Sequence, residues 1–207
     1  MKKKILPIAF SFLFLIGFIT FTYLAKAKIF NQLDFDTTVR LQNHIPKKFD
    51  FILSIFSLIG SFEVLSIIII IIAFIKKKLS YLLIFIPYAL SHIVEIFGKA
   101  LFHHPGPPFL LFRYNLNILF PSSYVQPGSS YPSGHAMRTI FMSLILCYLI
   151  NKLKIKPFNK IIYYLIFIIF DVLMMISRVS LGEHWTTDVI GGALLGASAG
   201  FFSFLFL

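Results

Sequence analysis

Long apolar runs separated by short polar clusters dominate this chain. A helix that crosses a bilayer needs roughly 20 mostly apolar residues. Runs near that length occur at Ile5–Leu24, Phe51–Ile75, Leu79–Phe102, His135–Ile150, Ile161–Ser177 and Thr187–Leu207. The pattern predicts an all-α polytopic membrane protein, a bundle of six transmembrane helices. It forms a single domain over residues 1–207, with no separate soluble domain.

The polar clusters between the runs set an orientation. Lys2, Lys3 and Lys4 precede the first run; Lys76, Lys77 and Lys78 separate the second and third; Lys152, Lys154, Lys156 and Lys160 separate the fourth and fifth. With six alternating spans these clusters share one side, which the positive-inside rule makes the cytoplasm. Residues 25–50, 103–134 and 178–186 then face outward, giving a multi-pass cell-membrane protein. The first outer segment mixes Lys26, Lys28, Arg40, Lys47 and Lys48 with Asp34, Asp36 and Asp50. Its Leu33, Phe35, Val39, Leu41 and Ile45 suit an interfacial helix, with a plain connecting loop as the alternative. "MKKK" and the "AKA" at 25–27 resemble a signal peptide, but the apolar core exceeds the usual 7–15 residues, so a retained anchor is expected. The 103–134 loop is rich in Pro, Gly and aromatics, which interrupt helix and suit a membrane–water boundary.

Composition agrees with membrane residence. The chain is 58% hydrophobic with 26 Phe, and its mean hydropathy is +0.87, whereas soluble domains sit near 45–50% apolar. The net charge of +11 is spread among loop clusters, so no nucleic-acid partner is expected. The single cysteine, Cys147, lies in an apolar run and has no internal partner for a disulfide.

Three outer-side segments carry ionisable residues, which are costly near lipid and face a bundle interior or a watery site. In "SHIVEIFGKALFHHPGP", His92, Glu95, Lys99 and His103 recur at helical spacing, and Glu95 and Lys99 can pair at i, i+4. The bland alternative is a snorkelling lysine with a counter-ion. In "SSYPSGHAMRT", Ser133 can cap a helix, Gly134 permits close backbone approach, and the helix start favours a phosphate. In "SRVSLGEHWTTDVIGG", His184 and Asp188 stand four apart at the start of the last run. A carboxylate there can hold one imidazole nitrogen and leave the other ready to attack. The same face continues as Gly192, Gly196 and Gly200, small residues that let a neighbouring helix approach. Together these segments form an inventory for phosphoryl transfer: cations for the oxygens, one histidine to attack and one to protonate the leaving group.

Pro132-Ser133-Gly134-His135 followed by Ser177-Arg178, five residues, His184, three residues and Asp188 resembles the type 2 phosphatidic acid phosphatase superfamily. A third motif, Lys, six residues, Arg-Pro, is matched by Lys99 but reads Gly106-Pro107 at its end, so its arginine is missing. The resemblance implies that His184 is the nucleophile and forms a phosphohistidine, Asp188 orients it, and His135 protonates the leaving oxygen. Lys99, Ser133, the Gly134 backbone and Arg178 would hold the phosphate, with no metal and no cofactor. It implies a lipid phosphatase with its site on the extracytoplasmic face. The partners would be membrane lipids and a lipid phosphate substrate: a polyprenyl diphosphate, phosphatidic acid or phosphatidylglycerol phosphate. A lipid phosphotransferase would use the same intermediate. An ion-path transporter built on Glu63, His92, Glu95 and Asp171, and a metal hydrolase built on the histidines, are the other classes considered. Arg138, three residues after His135, either stands in for the missing arginine or snorkels to lipid phosphates; Arg113, His103 and His104 are the other nearby groups that could compensate.

Overall fold

The computed structural model describes residues 2–77, 79–113, 116 and 129–207. Most of the middle of the Pro- and aromatic-rich loop lies outside these residues. Among them the chain is all-helical: α1 (Lys2–Lys26), α2 (Asn31–His44), α3 (Asp50–Leu58), α4 (Phe62–Lys76), α5 (Phe85–Leu101), α6 (Gly134–Asn151), α7 (Pro157–Ser180) and α8 (Thr186–Ser203). Pro157 opens α7 at its first turn, where a missing N–H costs nothing. Ser61 caps α4, its Oγ accepting from Val64 N at 3.4 Å.

The apolar runs map onto these helices with informative differences. Residues 5–26, 80–101 and 157–180 form three helices long and apolar enough to span a bilayer. The expected second span is broken: residues 47–58 and 62–76 meet at a 45° bend across Ile59-Gly60-Ser61. The third run enters through a 3-10 turn, Leu79–Ile84, before α5 begins. Helices α6 and α8 are not among those three; they are the inner pair and carry the polar residues inward.

The α6–α8 pair and the α1–α8 pair are the most extensive helix contacts. The glycines of α8 explain the first. A Cβ at Gly192 would collide with the Ser133 carbonyl oxygen, and one at Gly196 with the Met137 carbonyl. A Cβ at Gly200 would stand 2.7 Å from Leu144 Cδ1. The small-residue stripe therefore sets how closely α8 approaches α6. On the other side, Ser11 Oγ donates to Ser198 O at 2.9 Å and Ser198 Oγ to Ser11 O at 3.0 Å. Phe201 stacks on Phe10 and Phe14. Each buried hydroxyl thus donates to the other serine's backbone carbonyl across the α1–α8 contact instead of facing lipid.

Residues 31–44 form a helix rather than a loop, and it works as a brace. Asp34 is buried, and its two oxygens accept from Thr187 N at 2.8 Å and Thr187 Oγ1 at 2.7 Å. Burial pushes the Asp34 carboxyl up from its ordinary range, and the Thr187 bonds pull the other way. Gln42 donates to Leu111 O at 2.6 Å and Ser180 O at 3.0 Å. The helix therefore ties the end of α7 and the start of α8 to the segment that follows α5.

Candidate active site

The α7–α8 turn places the first imidazole. Gly182 adopts φ +71°, a conformation open to glycine. The chain folds back so that Glu183 N and His184 N both donate to Arg178 O, at 3.1 and 3.3 Å. His184 therefore sits in the turn, and α8 begins at Thr186; this corrects the expectation that His184 lies on the helix itself. Asp188 links the two. Its Oδ2 accepts from Trp185 N at 2.8 Å, closing the first turn of α8, and lies 3.3 Å from His184 Nδ1. One carboxylate oxygen thus caps the helix and holds the ring, which directs His184 Nε2 away from Asp188. Burial holds the His184 imidazole below its ordinary value; the Arg178 and Lys99 charges add to this, while Asp188 opposes it.

The second imidazole arrives on α6. Ser133 N donates to Asp188 O at 2.9 Å, which joins the start of α6 to the first turn of α8. Ser133 stands at the expected capping position, yet its side chain makes no cap bond. Its Oγ is fully buried without a hydrogen-bond partner among the described residues. His135 stands at the start of α6, close enough to Arg138, Arg178, Lys99 and His184 for their charges to act on its ring.

Behind this ring lies a buried ion cluster. Lys99 Nζ bonds Glu95 Oε1 at 2.8 Å, and Arg138 Nη1 lies 3.4 Å from Glu95 Oε2. Arg138 Nε donates to Gly60 O at 2.8 Å, and its Nη2 lies 3.4 Å from His135 Nδ1. Neither cation snorkels, since Lys99 and Arg138 are 9% and 8% exposed. A guanidinium can only donate, so whenever the His135 ring is neutral this contact favours Nδ1 as the acceptor and the proton on Nε2. The cluster also explains Gly134: a Cβ there would collide with Glu95 Oε1 and stand 2.7 Å from Arg138 Nη1. The glycine expected to admit a ligand is first required by these side chains.

Other residues sort themselves by contact. Arg178 is buried at the end of α7 and pairs with Glu183. Arg113 pairs with Asp50 at 2.8 Å and donates to the Gln42 and Ile45 carbonyls, which makes it a structural clamp and removes it as a replacement cation. Asp171 accepts from Ser143 Oγ at 3.0 Å. His92 Nε2 lies 3.4 Å from Arg138 Nη1, and Asp171 is the Ser143 partner, so these members of the imagined ion path belong to separate local clusters. Among the described residues, no group of three His, Cys, Asp or Glu side chains is placed to hold a metal ion.

Sequence reasoning missed several contributors. Gly60 supplies a carbonyl to Arg138, and a Cβ on it would stand 2.9 Å from His135 Cδ2. His104 Nδ1 lies 3.2 Å from Asp188 Oδ1. Asp34 and Trp185 hold the start of α8, with Trp185 Nε1 donating to Pro105 O at 2.9 Å. A break within an apolar run, Ile59-Gly60-Ser61, was the visible signal for the first of these.

A helical membrane bundle that gathers two imidazoles, buried cations and an unpartnered serine hydroxyl defines a phosphate-handling class of site. The PAP2 superfamily matches residues 77–207, and the chain belongs to that superfamily. Phosphatidylglycerophosphatase B of Bacillus subtilis (strain 168) is 41% identical over 68 residues, so the match spans about a third of each protein, 32% of this chain and 34% of that relative. The fold matches a crystal structure of a transmembrane PAP2-type phosphatidylglycerolphosphate phosphatase from Bacillus subtilis. Its TM-score is 0.77 at 22% identity, over 95% of both chains. It also matches Aquifex aeolicus LpxE with TM-score 0.63 at 25% identity, over 84% of this chain and 95% of that one.

Proposed function

We propose that this chain is a membrane lipid phosphatase that hydrolyses a phosphate monoester or diphosphate head group through a phosphohistidine on His184. The observation that carries the proposal is the junction of the two motifs: Asp188 holds His184 by its side chain and Ser133 by its carbonyl, while the Ser133 hydroxyl stays buried and unpartnered. Lys99, Arg178, Ser133 and the Gly134 backbone hold the phosphoryl oxygens, and Arg138 adds positive charge behind His135 in place of the arginine missing at Gly106. The His184 Nε2 lone pair forms the P–N bond as the P–O bond to the lipid breaks. His135, entering as the imidazolium, passes a proton to the departing oxygen and is left as the neutral ring. Water then attacks phosphorus, His135 takes its proton, and the P–N bond breaks to release phosphate. No metal or cofactor takes part.

A lipid substrate is supported by an apolar crevice of about 620 Å³ between α1 and α5, lined by Phe18, Val94, Phe97, Leu101 and Tyr131. Tyr131 directly precedes the Pro132-Ser133-Gly134-His135 stretch, so acyl tails in the crevice would bring a head group to the site. Phosphatidylglycerol phosphate is the first substrate to try, because two of the similar proteins are described as phosphatases of that lipid. Phosphatidic acid and polyprenyl diphosphates follow. The lysine clusters at 76–78 and 152–160 support a six-span arrangement with α6 and α8 crossing inside the others and the site facing away from the cytoplasm.

The test is phosphate release by the detergent-purified protein across these lipids, with His184→Ala as control. Release should survive a strong chelator and stop with vanadate. Loss of activity in chelator, or no release from any lipid phosphate, would overturn the proposal. Release that requires an added acceptor alcohol would mark a phosphotransferase.

A further inference from the structure

Asp188 is fully buried, and Trp185 N and His184 Nδ1 both use its Oδ2. Its Oδ1 lies 3.2 Å from His104 Nδ1. The contact has ion-pair distance but poor alignment, which leaves Oδ1 without a well-directed hydrogen bond in this state. Catalytic hydrogen bonds are often long before substrate arrives and tighten when it binds.

His104 is itself held from several sides. Its N–H donates to Phe102 O at 2.9 Å and meets Ser129 Oγ at 3.2 Å. Its carbonyl accepts from Ser130 N at 2.9 Å and from Ser130 Oγ at 3.0 Å. Its ring stacks on Phe102 with centroids 5.7 Å apart and packs edge-on to Tyr131 at 5.9 Å. A ring so thoroughly packed, 9% exposed, with Nδ1 set between Ser130 Oγ at 3.3 Å and the one carboxylate that holds the nucleophile at 3.2 Å, is placed for more than filling space.

We infer that His104 is a positioning residue for the reaction: it holds the second oxygen of Asp188, so that the carboxylate is clamped between two imidazoles and His184 is kept on line. The segment that carries Gly106 in place of arginine thus reaches the site through a side chain two residues earlier. The inference rests on the proposed phosphohistidine chemistry, since it assigns His104 an effect on the attacking ring. It involves no bond-making step by His104 itself. A partner that orients a ligating or catalytic group from behind typically contributes 10- to 100-fold.

The experiment measures phosphate release by the full-length protein, with kcat and KM determined separately. His104→Ala should lower kcat about 10- to 100-fold while KM stays within about twofold. His104→Asn should recover part of the loss, because an asparagine amide N–H falls near the Nδ1 position; His104→Gln, whose amide mimics Nε2, should not. In an Asp188→Asn background, His104→Ala should cost little more, since the two residues act as a unit. Unchanged kcat in His104→Ala, a defect confined to KM, or full additivity with Asp188→Asn would each overturn the inference. If the alanine variant does not fold, judged by its thermal transition in detergent, the Asn and Gln variants decide, and equal activity in both counts against it. If the unaltered protein releases no phosphate, it is the phosphatase proposal that fails; if it does and the His104 variants behave normally, only this inference falls.

Discussion

Gly60 offers the sharpest perturbation, because it touches the proposed acid–base ring without being a chemical group of the site. A methyl group at this position would stand 2.9 Å from His135 Cδ2 and 3.3 Å from both Met174 Cε and Met174 Sδ. Ordinary carbon–carbon contact begins near 3.5 Å, so the His135 ring must move by about 0.5 Å or more, while the flexible Met174 end yields more easily. The residue has an ordinary φ, so alanine introduces no backbone strain. A misplacement of about 1 Å can cost about 100-fold in rate, so half that shift predicts a loss of about 10- to 100-fold in kcat, or about 1.4–2.7 kcal/mol. Overpacking should cost about 1–3 kcal/mol of stability, which is read as a modest drop in the thermal midpoint. The control is Gly17→Ala, whose added methyl meets only Leu194 Cδ2 at 3.7 Å and should leave both measurements unchanged. The assay is phosphate release on the best lipid substrate with folded protein verified for both variants. If Gly60→Ala retained kcat within twofold, the placement of His135 against the α3–α4 break would have no catalytic meaning.

Arg138→Ala removes one of the two cations on buried Glu95 and the donor facing His135 Nδ1. Turnover should fall at least tenfold, with a loss of stability of about 3–5 kcal/mol; unchanged turnover would refute its role as the replacement cation. Asp34→Ala deletes two hydrogen bonds to Thr187. It should lower stability by about 1.5–3 kcal/mol and lower activity with it, because α8 loses its anchor, and a thermal midpoint equal to the parent would contradict the bracing role. The pH profile follows from His184. Its imidazole is held below the ordinary value near 6.5, and attack needs the neutral ring, so the acid limb of kcat/KM belongs below pH 6.5. Asp188→Asn removes the influence that raises the ring's affinity for a proton and should shift that limb lower still, at reduced kcat. An acid limb at pH 7 or above would rule out His184 as the group that must be neutral.

Much of the site was legible in the chain because its logic is local. The spacing of His184 and Asp188 anticipated their contact, although the contact runs through a turn and a helix cap instead of along a helix face. Gly192, Gly196 and Gly200 announced a close helix neighbour, and α6 is that neighbour. Glu95 and Lys99 pair as four-residue spacing predicts. The place of Arg138 three residues after His135 is readable in the sequence, but its fourfold engagement with Gly60, His92, Glu95 and His135 is not. Nothing in the spacing connects residues 60 and 138.

By itself, then, the sequence determined which segments prefer lipid and which polar residues stand at helical spacing from one another. Hydropathy and helical spacing are properties of neighbours along the chain, and they survive without knowledge of the fold. Tertiary structure alone decided that Asp34 anchors Thr187 across 153 positions, that His104 and His184 share one carboxylate, and that Gly134 makes room for an ion pair. Each of these depends on how closely packed helices bring remote atoms together. Burial then makes the meeting matter, because a charge removed from water must find its partner wherever the packing places it.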